Sequence, residues 1–275
     1  MAVTKSNLAM RLLTAAVAVP VILYLLYGCP PIAFYCLAFP AAVIGSHELF
    51  AMTHPGDRVS QILGVLLSAA SSLLVYFCGH DPRVLLTLLV AIPLLGPLLT
   101  LIRVGDISSA ALRACAMGFG PIFVAVPMTM LAMLRRDMGD DGPGYVLVTL
   151  MFAWLADTGG YFAGRFLGKH KLYELVSPKK TIEGSIGGLL GSVAGALLAS
   201  LWYLPAFPLA HSVPLALVAS AFGQAGDLGE SLLKRSTGVK DSGSLVPGHG
   251  GILDRIDALL LTSTIVYVYT MWVQR

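Results

Sequence analysis

Charge is scarce in this chain: Lys, Arg, Asp and Glu make up only 12% of its 275 residues, about half the ~25% of a soluble domain. That scarcity argues against an ordinary soluble enzyme and against intrinsic disorder, which needs high charge and few aliphatic side chains. Cysteine is sparse too. The four present (Cys29, Cys36, Cys78 and Cys115) form no C-x-x-C pair and have no His at zinc spacing, so they read as small core residues rather than metal ligands or a disulfide framework. The 29 glycines follow no G-X-Y period, which excludes a collagen-like chain, and no G-x-x-x-x-G-K-[ST] phosphate loop occurs. A net charge of +3 is too small to argue for nucleic acid, and no nucleic-acid partner is expected. What is abundant is apolar: 56% of residues are hydrophobic and mean hydropathy is +0.80. That exceeds what one core of this length can hide, and lipid would cover the excess.

A spanning helix needs ~20 mostly apolar residues, and nine such windows run between polar or Gly/Pro breaks. They cover 8–27, 31–52, 60–78, 84–102, 110–134, 145–164, 184–204, 213–233 and 256–273. The expected fold is therefore an all-α, polytopic membrane bundle of about nine transmembrane helices, whose first window reads as an uncleaved helix rather than a signal peptide. It divides into an N-terminal transmembrane region, 1–145, with about five spans, and a C-terminal transmembrane region, 146–275, with about four, where chemistry is to be sought in the loops. Most connections are short, and only 165–183 and 234–255 are long and charged. An odd span count puts the termini on opposite sides. Sorting cations by side then places fourteen of the eighteen Lys and Arg with the N-terminus, so the N-terminus and both long loops are expected in the cytoplasm.

Acidic residues in or beside the spans are Glu48, Asp157, Asp227, Glu230 and Asp257. All fall toward the cytoplasmic ends, which argues against a transporter with a midplane site between inverted repeats. For Glu48 the alternative is an interfacial carboxylate reaching water. Asp227, Glu230, Ser231 and Lys234 share one helical face, at i, i+3, i+4 and i+7. A Glu230–Lys234 ion pair explains part of that face but leaves Asp227, a turn deeper, without a partner.

The segment from Gly238 to Asp257 is rich in Gly and Pro and carries Lys240, His249 and Arg255. Tight turns that present N–H groups beside cations meet the needs of a polyphosphate cradle; the alternative is a flexible linker. Asp227 and Asp254 bracket it as hard oxygen ligands, suited to Mg²⁺ with substrate phosphates rather than to zinc. In the other loop Asp157, Tyr161 and Arg165 follow one helix face, and Ser177-Pro178 reads as an N-cap and first turn. That reading sets Lys179, Lys180 and Thr181 at a helix N-terminus that favours phosphate; the alternative is an anchor for anionic lipid headgroups.

The run Ser231-Leu-Leu-Lys-Arg, four residues, Lys240-Asp-Ser-Gly, two residues, Val-Pro-Gly-His-Gly-Gly-Ile-Leu-Asp-Arg-Ile-Asp257 resembles the signature of the phosphatidate cytidylyltransferases (CDP-diacylglycerol synthases). Asp157 to Arg165, Ser177 to Gly184 and Gly226 to Arg235 resemble other stretches of that family. The first 145 residues match mainly in hydropathy, with Arg11 and Glu48 at similar places, and Gly160 stands where Ala is expected. The resemblance implies conversion of CTP and phosphatidate to CDP-diacylglycerol and pyrophosphate, in a bacterial-type inner (cytoplasmic) membrane, by a homodimer among membrane lipids. It further implies Mg²⁺ at Asp227 and Asp254, with a second cation possible. Catalytic roles fall to Asp157, Lys234, Arg235, Lys240, His249 and Asp257, and phosphate contacts to Arg165, Ser177, Lys179, Lys180, Thr181 and Arg255. A CDP-alcohol phosphatidyltransferase is the enzymatic rival, but its D-G-x-x-A-R signature is absent. A transporter with a gated loop is the non-enzymatic one.

Overall fold

The computed structural model describes residues 16–243 and 250–273, and these are almost entirely helical. The helices are α1 (Ala16–Tyr27), α2 (Pro31–Thr53), α3 (Arg58–Cys78), α4 (Pro82–Ile102), α5 (Ala110–Gly120), α6 (Val126–Asp137), α7 (Gly142–Leu167), α8 (Ile182–Leu198), α9 (Leu209–Ser236) and α10 (Leu253–Val273). Among the described residues seven helical segments are long and apolar enough to cross a membrane, and the chain is an all-α, multi-pass membrane protein. The helix starts are written locally. Pro31 and Pro82 open α2 and α4, where a missing N–H costs nothing. The Asp57 and Asp81 carboxylates accept the first free amides of α3 and α4, from Ser60 (3.2 Å) and Arg83 (2.9 Å).

Two windows differ in kind from the expectation. Residues 110–134 form α5 and α6 joined by a π turn, Pro121–Ala125, where Pro121 and Pro127 remove N–H groups from the regular ladder. Residues 165–183 are not mainly loop. The α7 helix continues through Arg165 to Leu167, and a two-stranded antiparallel hairpin follows, β1 (Lys171–Tyr173) and β2 (Ser177–Thr181). Ser177 therefore lies in a strand and caps no helix. The N-cap of α8 is Thr181, whose Oγ1 accepts from the Gly184 amide at 3.1 Å.

The core runs between the two halves. The α10 helix packs against α9, α6 and α2, while α7 and α8 lie side by side. Glycines let α7 and α8 approach: a Cβ on Gly187 would stand 2.7 Å from the Gly159 carbonyl oxygen, and one on Gly184 3.0 Å from that of Gly160. Outward faces are apolar, as lipid requires: on α4 only Ile92 and Gly96 are buried, with Leu86, Leu89, Leu94 and Leu98 exposed. The cysteines depart from the core reading. Cys36, Cys78 and Cys115 are exposed and Cys29 is half-buried, all as free thiols, so they belong to the outward faces.

Candidate active site

Charged side chains from α7, the hairpin, α9 and α10 converge at one end of the bundle. A cavity of about 360 Å³ is lined by Asp157, Tyr161 and Arg165 of α7, Lys179, Lys180 and Thr181 of β2, Ser185 of α8, and Gln224 and Asp227 of α9. A second, of about 190 Å³, is lined by Ser177 and Lys179 of β2, Ser231, Lys234 and Arg235 of α9, and Lys240 and Asp241 beyond it. Lys179 lines both. The first cavity mixes acids with cations, whereas the second carries four cations against one acid.

The partner that α9 itself lacks for Asp227 comes from the hairpin: Lys180 Nζ stands 2.5 Å from Asp227 Oδ2. Asp157 lies within electrostatic reach of Asp227, Lys180 and Arg255, and Asp257 of Asp227 and Glu230. The expected Glu230–Lys234 pair is present, at 3.1 Å. It is half of a bridge, because Lys234 Nζ also reaches Asp254 Oδ1 at 2.6 Å. Asp254 Oδ2 accepts the amides of Ser242 and Gly251, each at 3.0 Å. Thus the Asp254 carboxylate organises the start of α10 while its other oxygen holds the lysine. Arg235 Nε donates to the Val176 carbonyl (3.3 Å), tying α9 to the hairpin, and Arg165 Nη1 donates to the Tyr161 hydroxyl (2.6 Å). His249 lies outside the described residues.

A hard cation has donors here. Glu230 Oε1 is buried without a hydrogen-bond partner and lies within electrostatic reach of the Asp257 carboxyl, and a proton or a cation relieves repulsion between carboxylates brought close. Among the described residues no group of three or more His, Cys, Asp or Glu is arranged to enclose a metal by itself. Mg²⁺ makes no such demand, since it usually takes one or two carboxylates and completes its shell with water and phosphate oxygens.

Three features of this end of the molecule had little sequence signal. Gln224 is clamped to Ser185, its Oε1 accepting the hydroxyl at 2.5 Å and its Nε2 donating to the carbonyl at 3.2 Å. Glu183 accepts the Lys169 and His170 amides, at 3.1 and 3.3 Å, and pins the hairpin to the start of α8. Glu48, on α2, reaches the start of α10. A larger hollow, about 900 Å³, lies apart from this cluster beside His54, Asp57, Arg103 and Arg113. In it Asp57 pairs with Arg103 at 2.9 Å, and hydrogen bonds from Arg103 and Ser60 hold the Asp57 carboxyl well below the usual range. Burial, with Arg113 nearby, pushes the His54 imidazole down to about 4.

Comparison with known proteins gives a concordant result. The model of the cytidylyltransferase family matches residues 9–273. The chain is similar to phosphatidate cytidylyltransferases of three staphylococci. Identity is 44% over 128 residues with that of Staphylococcus saprophyticus, covering 46% of this chain and 49% of the relative. It is 47% over 120 residues with that of Staphylococcus epidermidis, covering 44% and 46%, and 46% over 130 residues with that of Staphylococcus aureus, covering 46% and 49%. The matches span about half the length of these curated relatives.

Proposed function

Because the chain belongs to the cytidylyltransferase family, we propose that it transfers the cytidylyl group of CTP to phosphatidate, giving CDP-diacylglycerol and pyrophosphate. The observation that carries this reading is the pair of adjoining cavities that share Lys179 at one end of a membrane bundle. A water-soluble nucleotide and a lipid phosphate then meet where hydrocarbon gives way to water.

A phosphatidate phosphate oxygen attacks the α-phosphorus of CTP, forming the new P–O bond as the bond to the β-phosphate breaks and pyrophosphate departs. The nucleophile is already anionic near neutral pH, since a monoester's second pKa is about 6, so no strong general base is required. The obstacle is repulsion among anions. Lys179, Lys234, Arg235 and Lys240 line the cation-rich cavity and suit the β- and γ-phosphates; Lys180, Arg165 and Arg255 serve the attacking phosphate beside Asp157 and Asp227. Catalysis is then mainly positioning and charge neutralisation. Mg²⁺ would be held by the carboxylates of Asp227 and Asp254, exchanging contacts now made by Lys180 and Lys234, with Glu230 and Asp257 for a second cation, the partnerless Glu230 Oε1 supporting the latter. When bound, the cation supplies positive charge to the phosphate oxygens.

The same reading comprises nine spans, α1 and α9 joining the seven apolar segments, with a cytoplasmic N-terminus supported by the cation sort. Its setting is a bacterial inner membrane, and the chain forms a homodimer, both supported by the family resemblance. Residues 1–145 act as scaffold and 146–275 carry the catalytic groups. A transporter is separated from this account by sealed vesicles: the enzyme reading predicts CTP-derived label in the lipid fraction, while flux of unmodified substrate with no covalent change would overturn it.

A further inference from the structure

The α2 residue Glu48 lies about two hundred positions from the signature loop in sequence and touches it in space. The residue is buried, 5% exposed. Oε1 accepts the Ile252 amide at 3.0 Å; Oε2 accepts the Leu253 amide at 2.8 Å and the Ser242 hydroxyl at 3.0 Å. The Asp254 amide in turn donates to that Ser242 oxygen at 3.3 Å. With the amides of Ser242 and Gly251 on Asp254 Oδ2, two carboxylates collect the free N–H groups that open α10 and close the described ends of the loop on each other. Gly243 and Gly251 leave the room: a Cβ on either would collide with the Glu48 carboxylate. A negative charge at a helix N-terminus is favoured by the unpaired amides and their dipole.

This arrangement exceeds what packing demands. An apolar side chain would fill the gap between α2 and α10 but leave buried amides unpaired, whereas a carboxylate fixes the backbone from which Asp254 reaches Lys234. From this geometry we infer that Glu48 is a positioning residue for the transfer reaction. It docks the N-terminal half of the bundle on the signature loop and so sets the Asp254–Lys234 pair, which touches the phosphates and cation in the reading above, on which this inference rests. Glu48 itself contacts no substrate.

The test uses the full chain in detergent with three variants, Glu48→Gln, Glu48→Ala and Ser242→Ala, and two readouts. The first is cytidylyl transfer, as kcat, KM for CTP and the Mg²⁺ concentration giving half-maximal rate. The second is hydrogen exchange over residues 250–257, which needs no turnover and therefore stands even if the wild-type protein proves inactive with these substrates. Monodisperse Glu48→Gln is expected to lose about 10- to 100-fold in kcat, the scale seen when groups supporting a metal site are removed. Its Mg²⁺ requirement should rise, and amide exchange at Gly251 to Leu253 should quicken at least about tenfold; Ser242→Ala should show the same pattern more weakly. If Glu48→Ala does not accumulate, the other two decide. Unchanged exchange in Glu48→Gln would overturn the inference. So would variants that unfold at lower temperature yet keep wild-type kcat and Mg²⁺ dependence per folded molecule, because a purely structural contact predicts that result. Wild-type inactivity combined with quickened exchange would overturn the transfer reading, and with it the role in that reaction, while confirming that Glu48 holds the start of α10.

Discussion

Lys180 of β2 and Asp227 of α9, 47 positions apart, meet with Nζ 2.5 Å from Oδ2, and each side chain is 28% exposed. The pair joins the hairpin to the acidic face of α9 and contributes one cation and one anion to the cavity of about 360 Å³. Partial exposure keeps its worth to folding small, since ion pairs open to solvent contribute ~0–1 kcal/mol. Its importance is in what it presents to substrate.

Asp227→Asn should therefore leave the unfolding temperature in detergent nearly unchanged while lowering kcat at least about 100-fold, the scale of losing one electrostatic contact at the reacting phosphate. Thermal unfolding and initial rates on the same preparation check both parts. Near-normal turnover would remove Asp227 from the cation site.

Lys180→Met should raise KM for a phosphate-bearing substrate by about tenfold or more, and Lys180→Arg should recover part of the loss, because a guanidinium keeps the charge but changes its reach and hydrogen-bond geometry. A KM change confined to phosphatidate would assign Lys180 to the lipid phosphate. One confined to CTP would move it to the nucleotide.

Much of this site was legible in the sequence, and the illegible part has a physical cause. Motifs that are local, such as the α9 face with Glu230 and Lys234, carry their geometry in helical spacing, and the pair appears as expected. The hairpin was hidden because Ser177-Pro178 is a good helix start by local rules, while pairing of β2 with β1 decides otherwise. Its period of two changes the consequence: Lys179 is exposed and Lys180 half-buried, so both line one cavity from a strand and Lys179 alone also lines the smaller one. Glu48 showed only as a carboxylate inside a span. Nothing near it in sequence names the amides of Ile252 and Leu253. The seven strongly apolar segments were plain from composition, whereas α9 is long but carries a charged final third.

Gly187→Val probes the packing that brings Asp157 toward Asp227. The added Cβ would press on Ala163 and the Gly159 carbonyl, and such overpacking costs about 1–3 kcal/mol. A lower unfolding temperature is expected together with reduced turnover per folded molecule, since α7 and α8 carry opposite walls of the same cavity. Unchanged stability would contradict the close α7–α8 contact.

His54 predicts a pH effect away from the chemistry. Its folded pKa is lowered to about 4 by burial from an ordinary value near 6.5, so between those values the unfolded chain binds the proton more readily. Stability from the neutral imidazole is present above about pH 6.5 and is lost as pH falls toward 4. Unfolding temperature measured across that window should fall less steeply in His54→Gln than in the wild type. Equal slopes would show that His54 carries no such penalty.

The central claim is tested most directly by supplying the purified protein in detergent micelles with radiolabelled CTP, phosphatidate and Mg²⁺, with and without EDTA, and following label into the organic phase. The account predicts lipid-soluble label that requires both phosphatidate and the divalent cation and appears with stoichiometric pyrophosphate. Folded protein that transfers no label, or transfers it equally well in EDTA, would contradict it.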